Sequence, residues 1–261
     1  MGNLFKAYLF KLRKDLAFRI TLIIGGGLAI LMTLLFLLIE KITGEAMLNG
    51  QMMLIMSLSP VQNFGIAIPV NLITFTVLEF SQGTIRNKII AGYSKGQIYI
   101  SIFLTGLVFT LTLASVYALL CFGLGSVFGG FDPHGAIAGA STLAPYYIPK
   151  IIAVAVLCYV SITSFTIFFA TLFRSIGPTI PVVIVGLMFA YLVGTLLGSL
   201  FNNETIVWIL RIADPLYAMS VSELGGALAD ETFVSALICN AVYTLLFFGL
   251  GLLIFRKRDI K

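Results

Sequence analysis

The sequence predicts an all-α integral membrane protein with six transmembrane helices, and three observations carry that prediction. The 261 residues are 59% hydrophobic and only 10% charged, with a mean hydropathy of +1.07, too little charge to cover a soluble domain of this size. The charges are clustered, so long uncharged runs lie between them: Arg19 to Glu40, Glu45 to Glu79, Lys95 to Asp132, Lys150 to Arg174, Arg174 to Glu204 and Glu231 to Arg256. Each run supplies the roughly 20 apolar residues that cross a bilayer as a helix. Finally, the bases are unevenly shared. With six spans, 13 Lys and Arg fall on the side of the two termini and three on the other, while three acids face eight. Basic loops stay inside, so both termini and the 81–95 connection are predicted to be cytoplasmic. The net charge of +5 reflects this topology and does not call for nucleic acid.

The elements follow in chain order. Residues 4–16, "LFKAYLFKLRKDL", place Leu4, Phe5, Tyr8, Leu9, Leu12 and Leu16 on one helical face and Lys6, Arg13 and Lys14 on the other. This is the pattern of an interfacial helix along the inner leaflet, an elbow over residues 1–18. Spans are expected near 19–40, 57–80, 96–127, 148–172, 177–201 and 233–255. The first is too long for a signal-peptide core and no small-residue cleavage site follows it. Pro60 and Pro69 in the second span, and Pro178 and Pro181 in the fifth, remove backbone donors and predict kinks. The fifth also carries Gly194 and Gly198, a small-xxx-small pair. The outer loop 202–232 is too apolar for a free loop and too short-run to span. It reads as a segment dipping back into the outer leaflet, with Trp208 and Tyr217 at interface depth.

Function classes can be weighed by what the sequence lacks. Cys121, Cys158 and Cys239 all lie in predicted spans and read as packing residues, with no disulfide framework or metal site. No Lys, Arg, Asp, Glu or His falls deep within a span, whereas ion- or proton-driven carriers use such groups; sodium sites built from carbonyls stay open. No P-loop, H-E-x-x-H or G-x-S-x-G motif occurs, and the sole histidine, His134, stands near Ser141 on one proline-flanked loop without a scaffold. No catalytic residue and no cofactor of the chain's own are expected.

Residues 79–100, "EFSQGTIRNKIIAGYSKGQIYI", form the most structured connection. Gly83 suits a left-handed helix end, Thr84 an N-cap, Gly92 a stop, and Ser94 with Gln97 a capping box opening the third span. The short helix between them groups Ile85, Ile89 and Ile90 with Arg86, Asn87 and Lys88 around them. Exposed isoleucines ringed by polar groups suit a docking knob; an amphipathic turn resting on anionic headgroups is an equal reading of these residues.

The Glu79-x-x-x-Gly83-Thr84 pattern, the short basic helix after it, the elbow, six spans and the proline-containing "ADPLYAM" with Pro215 and Tyr217 resemble, in that order, the type-2 ATP-binding-cassette exporter permeases. The resemblance extends over the whole chain as one permease domain, 1–261, with neither a fused ATPase nor a large outer domain. It implies a complex with two copies of a cytosolic P-loop ATPase, which would bind the ATP and Mg, and a second permease subunit, identical or related. Ile85 to Ile90 would enter the ATPase cleft, Arg86 and Lys88 would pair with its acidic rim, and Glu79 would anchor the second span against a base such as Arg13 or Arg174. The path would be lined by spans 2 and 5, with Asn63, Asn71 and Thr74 as its polar stripe; interhelical hydrogen bonding explains those three equally well. Twenty-two phenylalanines suit a hydrophobic or amphipathic cargo, and the resemblance implies a peptide, such as a toxin or antimicrobial peptide, exported across a bacterial plasma membrane. A gradient-driven carrier and a non-transporting immunity or scaffold protein are the competing classes.

Overall fold

A computed structural model describes residues 2–44, 48–59, 63–131, 147–200 and 230–258. These form helices joined by short connections: α1 (Gly2–Lys14), α2 (Leu16–Thr43), α3 (Gly50–Leu58), α4 (Ala67–Ser81), α5 (Thr84–Ile90), α6 (Lys95–Gly129), α7 (Tyr147–Phe173), α8 (Ile176–Leu200) and α9 (Asp230–Lys257). Among the described residues four helices are long and apolar enough to cross a bilayer, Leu16–Thr43, Lys95–Gly129, Ile148–Phe173 and Ala236–Lys257, and Ala67–Ser81 and Ile176–Phe189 are shorter apolar helices. This is the make-up of an all-α membrane protein. The outer segment with Trp208, Pro215 and Tyr217 lies outside the described residues.

α2 shows why the hydropathy is so high. It touches the bundle along one narrow seam, Gly25, Ala29 and Thr33, and exposes Ile23, Ile24, Leu31, Leu34, Leu38 and Ile42. A helix apolar on nearly every face belongs in lipid. Asp15 opens it by accepting from the Ala17 N–H, and Gly44 closes it with φ 72°.

α6 is the central post, contacted by α1, α2, α3, α7 and α9. Small residues bring its neighbours close. A Cβ on Gly106 would meet Ile167, Leu72 and Thr163 within 3.4 Å, one on Gly125 would meet Met53, and one on Gly129 would lie 1.8 Å from the Leu48 carbonyl oxygen. Gly125 and Gly129 form a small-xxx-small face that admits α3 to backbone contact, sealed by a Gly50 N–H to Gly130 O bond of 3.0 Å. At the other end Tyr99 of α6 packs on Phe248 and Phe255 of α9.

The second span, expected over 57–80 with kinks at its prolines, is divided into separate helices. α3 ends at Leu58 and α4 begins at Ala67, with a turn at Gly65 and Ile66. Pro69 sits in the first turn of α4, where a missing N–H costs nothing. Both sides of the break touch α6 in antiparallel order, Met53 meeting Gly125, Phe64 meeting Tyr117 and Leu72 meeting Gly106, while α4 packs chiefly on α7.

The starts of α1, α2 and α6, the ends of α4, α7 and α9, and all of α5 gather at one end of the bundle. Phe80 packs on Phe255, Lys95 Nζ donates to the Arg258 carbonyl at 3.0 Å, and Arg258 donates to the Leu172 carbonyl at 2.6 Å. The basic segments that the sequence assigns to one side are therefore neighbours in space.

Candidate functional site: a buried carboxylate beneath a short helix

The site is built on the last turn of α4. Gly83 adopts φ 65°, a left-handed conformation open to glycine at no steric cost, and the chain turns sharply into α5. Gly92, at φ 89°, turns it again, and Ser94 and Gln97 form the reciprocal capping box that starts α6. These turns hold α5 directly over Glu79, whose side chain is sealed from solvent.

Four donors converge on the Glu79 carboxylate. Lys11 Nζ reaches Oε1 at 2.5 Å. Oε2 accepts from the Thr84 hydroxyl at 2.8 Å, from the Tyr8 phenol at 3.3 Å and from Lys88 Nζ. The single Thr84 hydroxyl proton is shared with the Glu79 carbonyl, 2.9 Å away. One acid thus ties α1, α4 and α5 together. Tyr8 and Lys11, three residues apart, share a helix face, and Tyr8 joins Leu4 and Leu12 in the buried seam of α1. The rings complete the site: Lys88 Nζ lies 3.8 Å above Tyr8 and Lys11 Nζ 5.5 Å from the Phe75 centroid, both within cation–π range.

Burial, then the Glu79 charge, then the hydrogen bond to it raise the Tyr8 pKa far above the ordinary phenol range, so Tyr8 remains a donor. Burial lowers the Lys88 pKa, against the hydrogen bond and charge of Glu79. Two ammonium groups around one carboxylate leave the cluster with one net positive charge. Its chemistry is that of a joint: charge-assisted bonds in a dry setting are strong and directional.

The family model described as "Protein of unknown function (DUF2705)" matches residues 5–261. The chain belongs to the DUF2705 family. No curated protein and no solved structure matches it.

In this DUF2705 chain several expectations are corrected. Glu79 pairs with Lys11 and Lys88 rather than Arg13 or Arg174; Arg174 instead stacks 5.0 Å from the Phe80 ring centroid. Thr84 is the first residue of α5 and Gly83 its N-cap, because the Thr84 hydroxyl is turned back to Glu79. Ile85 is 1% exposed and belongs to the core with Leu4, Tyr8, Ile98 and Phe255, so it cannot be a knob; Ile89 is half-buried, and Lys88 points inward. The surface of α5 consists of Arg86, Asn87 and Ile90, with Ile90 74% exposed. On α1 the apolar stripe faces the protein and not lipid.

The three residues expected to line a path have their polar groups on their own backbone. Asn71 Nδ2 donates to the Ala67 carbonyl and Thr74 to Val70. Asn63 bonds the carbonyls of Met56, Ser57 and Ser59 at the end of α3 and accepts from the Tyr117 phenol at 3.0 Å. It caps the end of α3 where the chain breaks before α4. Sequence reasoning missed Tyr8 and Lys11 as partners of Glu79; their spacing on an otherwise buried seam was the available signal. It also missed "GSVFG", whose Gly125 and Gly129 stand at small-xxx-small spacing. Among the described residues no group of three His, Cys, Asp or Glu could hold a metal, and Cys121, Cys158 and Cys239 form no disulfide.

Proposed function

We propose that this DUF2705 chain is the membrane subunit of an ATP-driven exporter. In this reading it crosses a bacterial plasma membrane six times, α3 and α4 together making one crossing, with both chain ends and the 81–95 segment in the cytoplasm. Two copies of a cytosolic P-loop ATPase, carrying ATP and Mg, and a second permease, identical or related, complete the machine. The chain itself performs no catalysis. The cargo is hydrophobic or amphipathic, a peptide such as a toxin or antimicrobial peptide.

The observation that carries this reading is the mounting of α5. A two-turn helix stands at the basic end of the bundle, clamped from below by Glu79 to α1 and α4, with Arg86, Asn87 and Ile90 outward. A force on that tip reaches α4 without passing through a flexible loop. The segregation of bases at the same end supports its cytoplasmic placement. Of the earlier contact set, Arg86, Asn87 and Ile90 remain as partner-facing residues, while Glu79, Thr84, Ile85 and Lys88 hold the helix that presents them.

The test is co-purification of the full chain with the P-loop ATPase that its own cell supplies. Ile90→Asp and Arg86→Glu should each reduce the retained ATPase at least about tenfold, with membrane insertion and melting temperature unchanged, as for an exposed hot spot. Ile85→Asp should damage the fold first, since it buries a charge. Full ATPase retention by Ile90→Asp and Arg86→Glu together, or ATP-independent transport by the chain alone in vesicles, would overturn the proposal.

A further inference from the structure

The outward face of α1 is left over once its apolar stripe is spent on the protein. Leu4, Tyr8 and Leu12 are buried, and the opposite face exposes Lys6, Phe10, Arg13 and Lys14, followed at the start of α2 by Arg19. Lys14 Nζ sits 4.4 Å above the Phe10 ring, and Arg19 Nε donates to the Arg13 carbonyl at 3.1 Å. No acid in the sequence before Glu40 balances these bases except Asp15, and its carboxylate is engaged in capping α2. Lys11, the remaining base of α1, is committed to Glu79. Four cations therefore sit within about four helical turns with one acid among them, a surplus of positive charge that attracts an external anion.

The surroundings of the patch decide which anion. It continues without interruption into Leu16, Ile20, Ile23 and Ile24, all exposed on α2, a face that only hydrocarbon covers comfortably. A surface basic at one level and apolar directly beyond it matches the phosphate layer and acyl layer of a leaflet. Phe10, 60% exposed, lies among these bases with Lys14 over its ring, and exposed aromatic rings favour the membrane interface.

We infer that the Lys6–Phe10–Arg13–Lys14–Arg19 face of α1 and early α2 is a binding surface for the headgroups of anionic phospholipids. Attraction is electrostatic and selects by headgroup charge, in contrast to the insertion of an apolar helix face, which is indifferent to it. Each base is worth about fivefold in local anionic-lipid density at low salt, and the preference fades as the Debye length falls below the charge spacing. This inference uses only the exposed face and does not depend on the exporter reading.

The experiment places a local probe. The full chain carrying Phe10→Trp, with the single native tryptophan removed by Trp208→Phe, is reconstituted in nanodiscs of phosphatidylcholine with a minor share of spin-labelled phosphatidylglycerol or spin-labelled phosphatidylcholine. Labelled phosphatidylglycerol should quench at least about fivefold more effectively at low salt, and the ratio should approach one in about 0.5 M NaCl. Lys6→Gln, Arg13→Gln, Lys14→Gln and Arg19→Gln together should bring it to one at low salt while the melting temperature holds. Equal quenching by both lipids in the unsubstituted background overturns the inference, as does a preference that survives the four substitutions. Absence of quenching by either lipid also overturns it, because the face is then in water or covered by protein.

Discussion

Replacing Glu79 with glutamine should release α5 from the bundle. The side chain keeps its length and an acceptor for Thr84 or Tyr8, but loses the charge that holds Lys11 and Lys88. The side chain of Lys11 is 42% exposed and that of Lys88 22%, against 1% for Glu79. Lys11 can therefore turn to solvent at little cost. Lys88, set over Tyr8 and mostly covered, either stays beside an uncharged amide or leaves and takes its end of α5 with it. Breaking a buried pair costs about 3–5 kcal/mol; the partial exposure of both lysines puts this site near the lower figure, about 3 kcal/mol. If that energy is spent as local opening, amide exchange across Thr84–Ile90 should accelerate on the order of a hundredfold, while the middle of α6 is unaffected. Hydrogen exchange by mass spectrometry on the detergent-solubilised chain reads this directly. A triple variant, Glu79→Leu with Lys88→Met and Tyr8→Phe, should return exchange most of the way, since apolar groups of similar volume replace the ionic pair and no buried phenol is left without an acceptor. Exchange in Glu79→Gln within about threefold of the wild type would show that the carboxylate does not hold α5. A triple variant no better than the single would show that charge is not the reason.

Two further outcomes are expected from packing and capping. Gly129→Ala drives a Cβ to 1.8 Å from the Leu48 carbonyl oxygen and should cost about 1–3 kcal/mol as α3 is pushed off α6, seen as a lower melting temperature; Gly123→Ala, with open space around it, is the matched control and should melt like the wild type. Asn63→Ala strips the carbonyls of Met56, Ser57 and Ser59 of their shared donor and should cost about 1–3 kcal/mol, whereas Tyr117→Phe, which leaves that cap in place, should cost only about 0.5–1.5 kcal/mol, both read from the same melts.

Much of the turn was legible because its signals are local. Gly83, Gly92 and the Ser94–Gln97 pair act within four residues of themselves, and the structure gives each the backbone geometry its residue type suggests. What the turn rests on was not legible. Ile85 and Ile90 look alike in a seven-residue helix, and spacing defines a face without saying what lies opposite it; only the arrival of α1 and α9 buries Ile85 and leaves Ile90 outside. Glu79 likewise looked like a membrane-edge acid in search of a base, and five cytoplasm-assigned bases near the N-terminus were equivalent by composition. Helix geometry chooses among them, because Lys11 follows Tyr8 by three residues on the buried seam while Arg13 and Lys14 point away. The elbow itself was visible as an amphipathic helix, but its stripe could face lipid or protein equally well by sequence. Pro60 and Pro69 announced a bend in span 2; the repair by Asn63 depends on Tyr117, 54 residues away.

That repair and the Glu79 cluster make sense together. A break inside an apolar helix leaves carbonyls short of donors, and in hydrocarbon each is expensive. The two amide hydrogens of Asn63, shared among three carbonyls, supplement the Ser59 and Asn63 backbone N–H groups that reach Met56 and Ser59, without adding a charge. The pieces on either side are then fastened to different neighbours: α3 to α6 through glycine-mediated backbone contact, and α4 to α1 and α5 through a carboxylate. α3 is held by packing, whose energy falls off within an ångström of separation, and by its backbone bond to Gly130. α4 is packed too, through Ile68, Leu72, Ile73 and Val77, and its last turn adds ionic bonds, which stay attractive over several ångströms in a dry setting. The two pieces therefore differ at the end of α4, where a carboxylate adds to packing the directional hold that fixes α5.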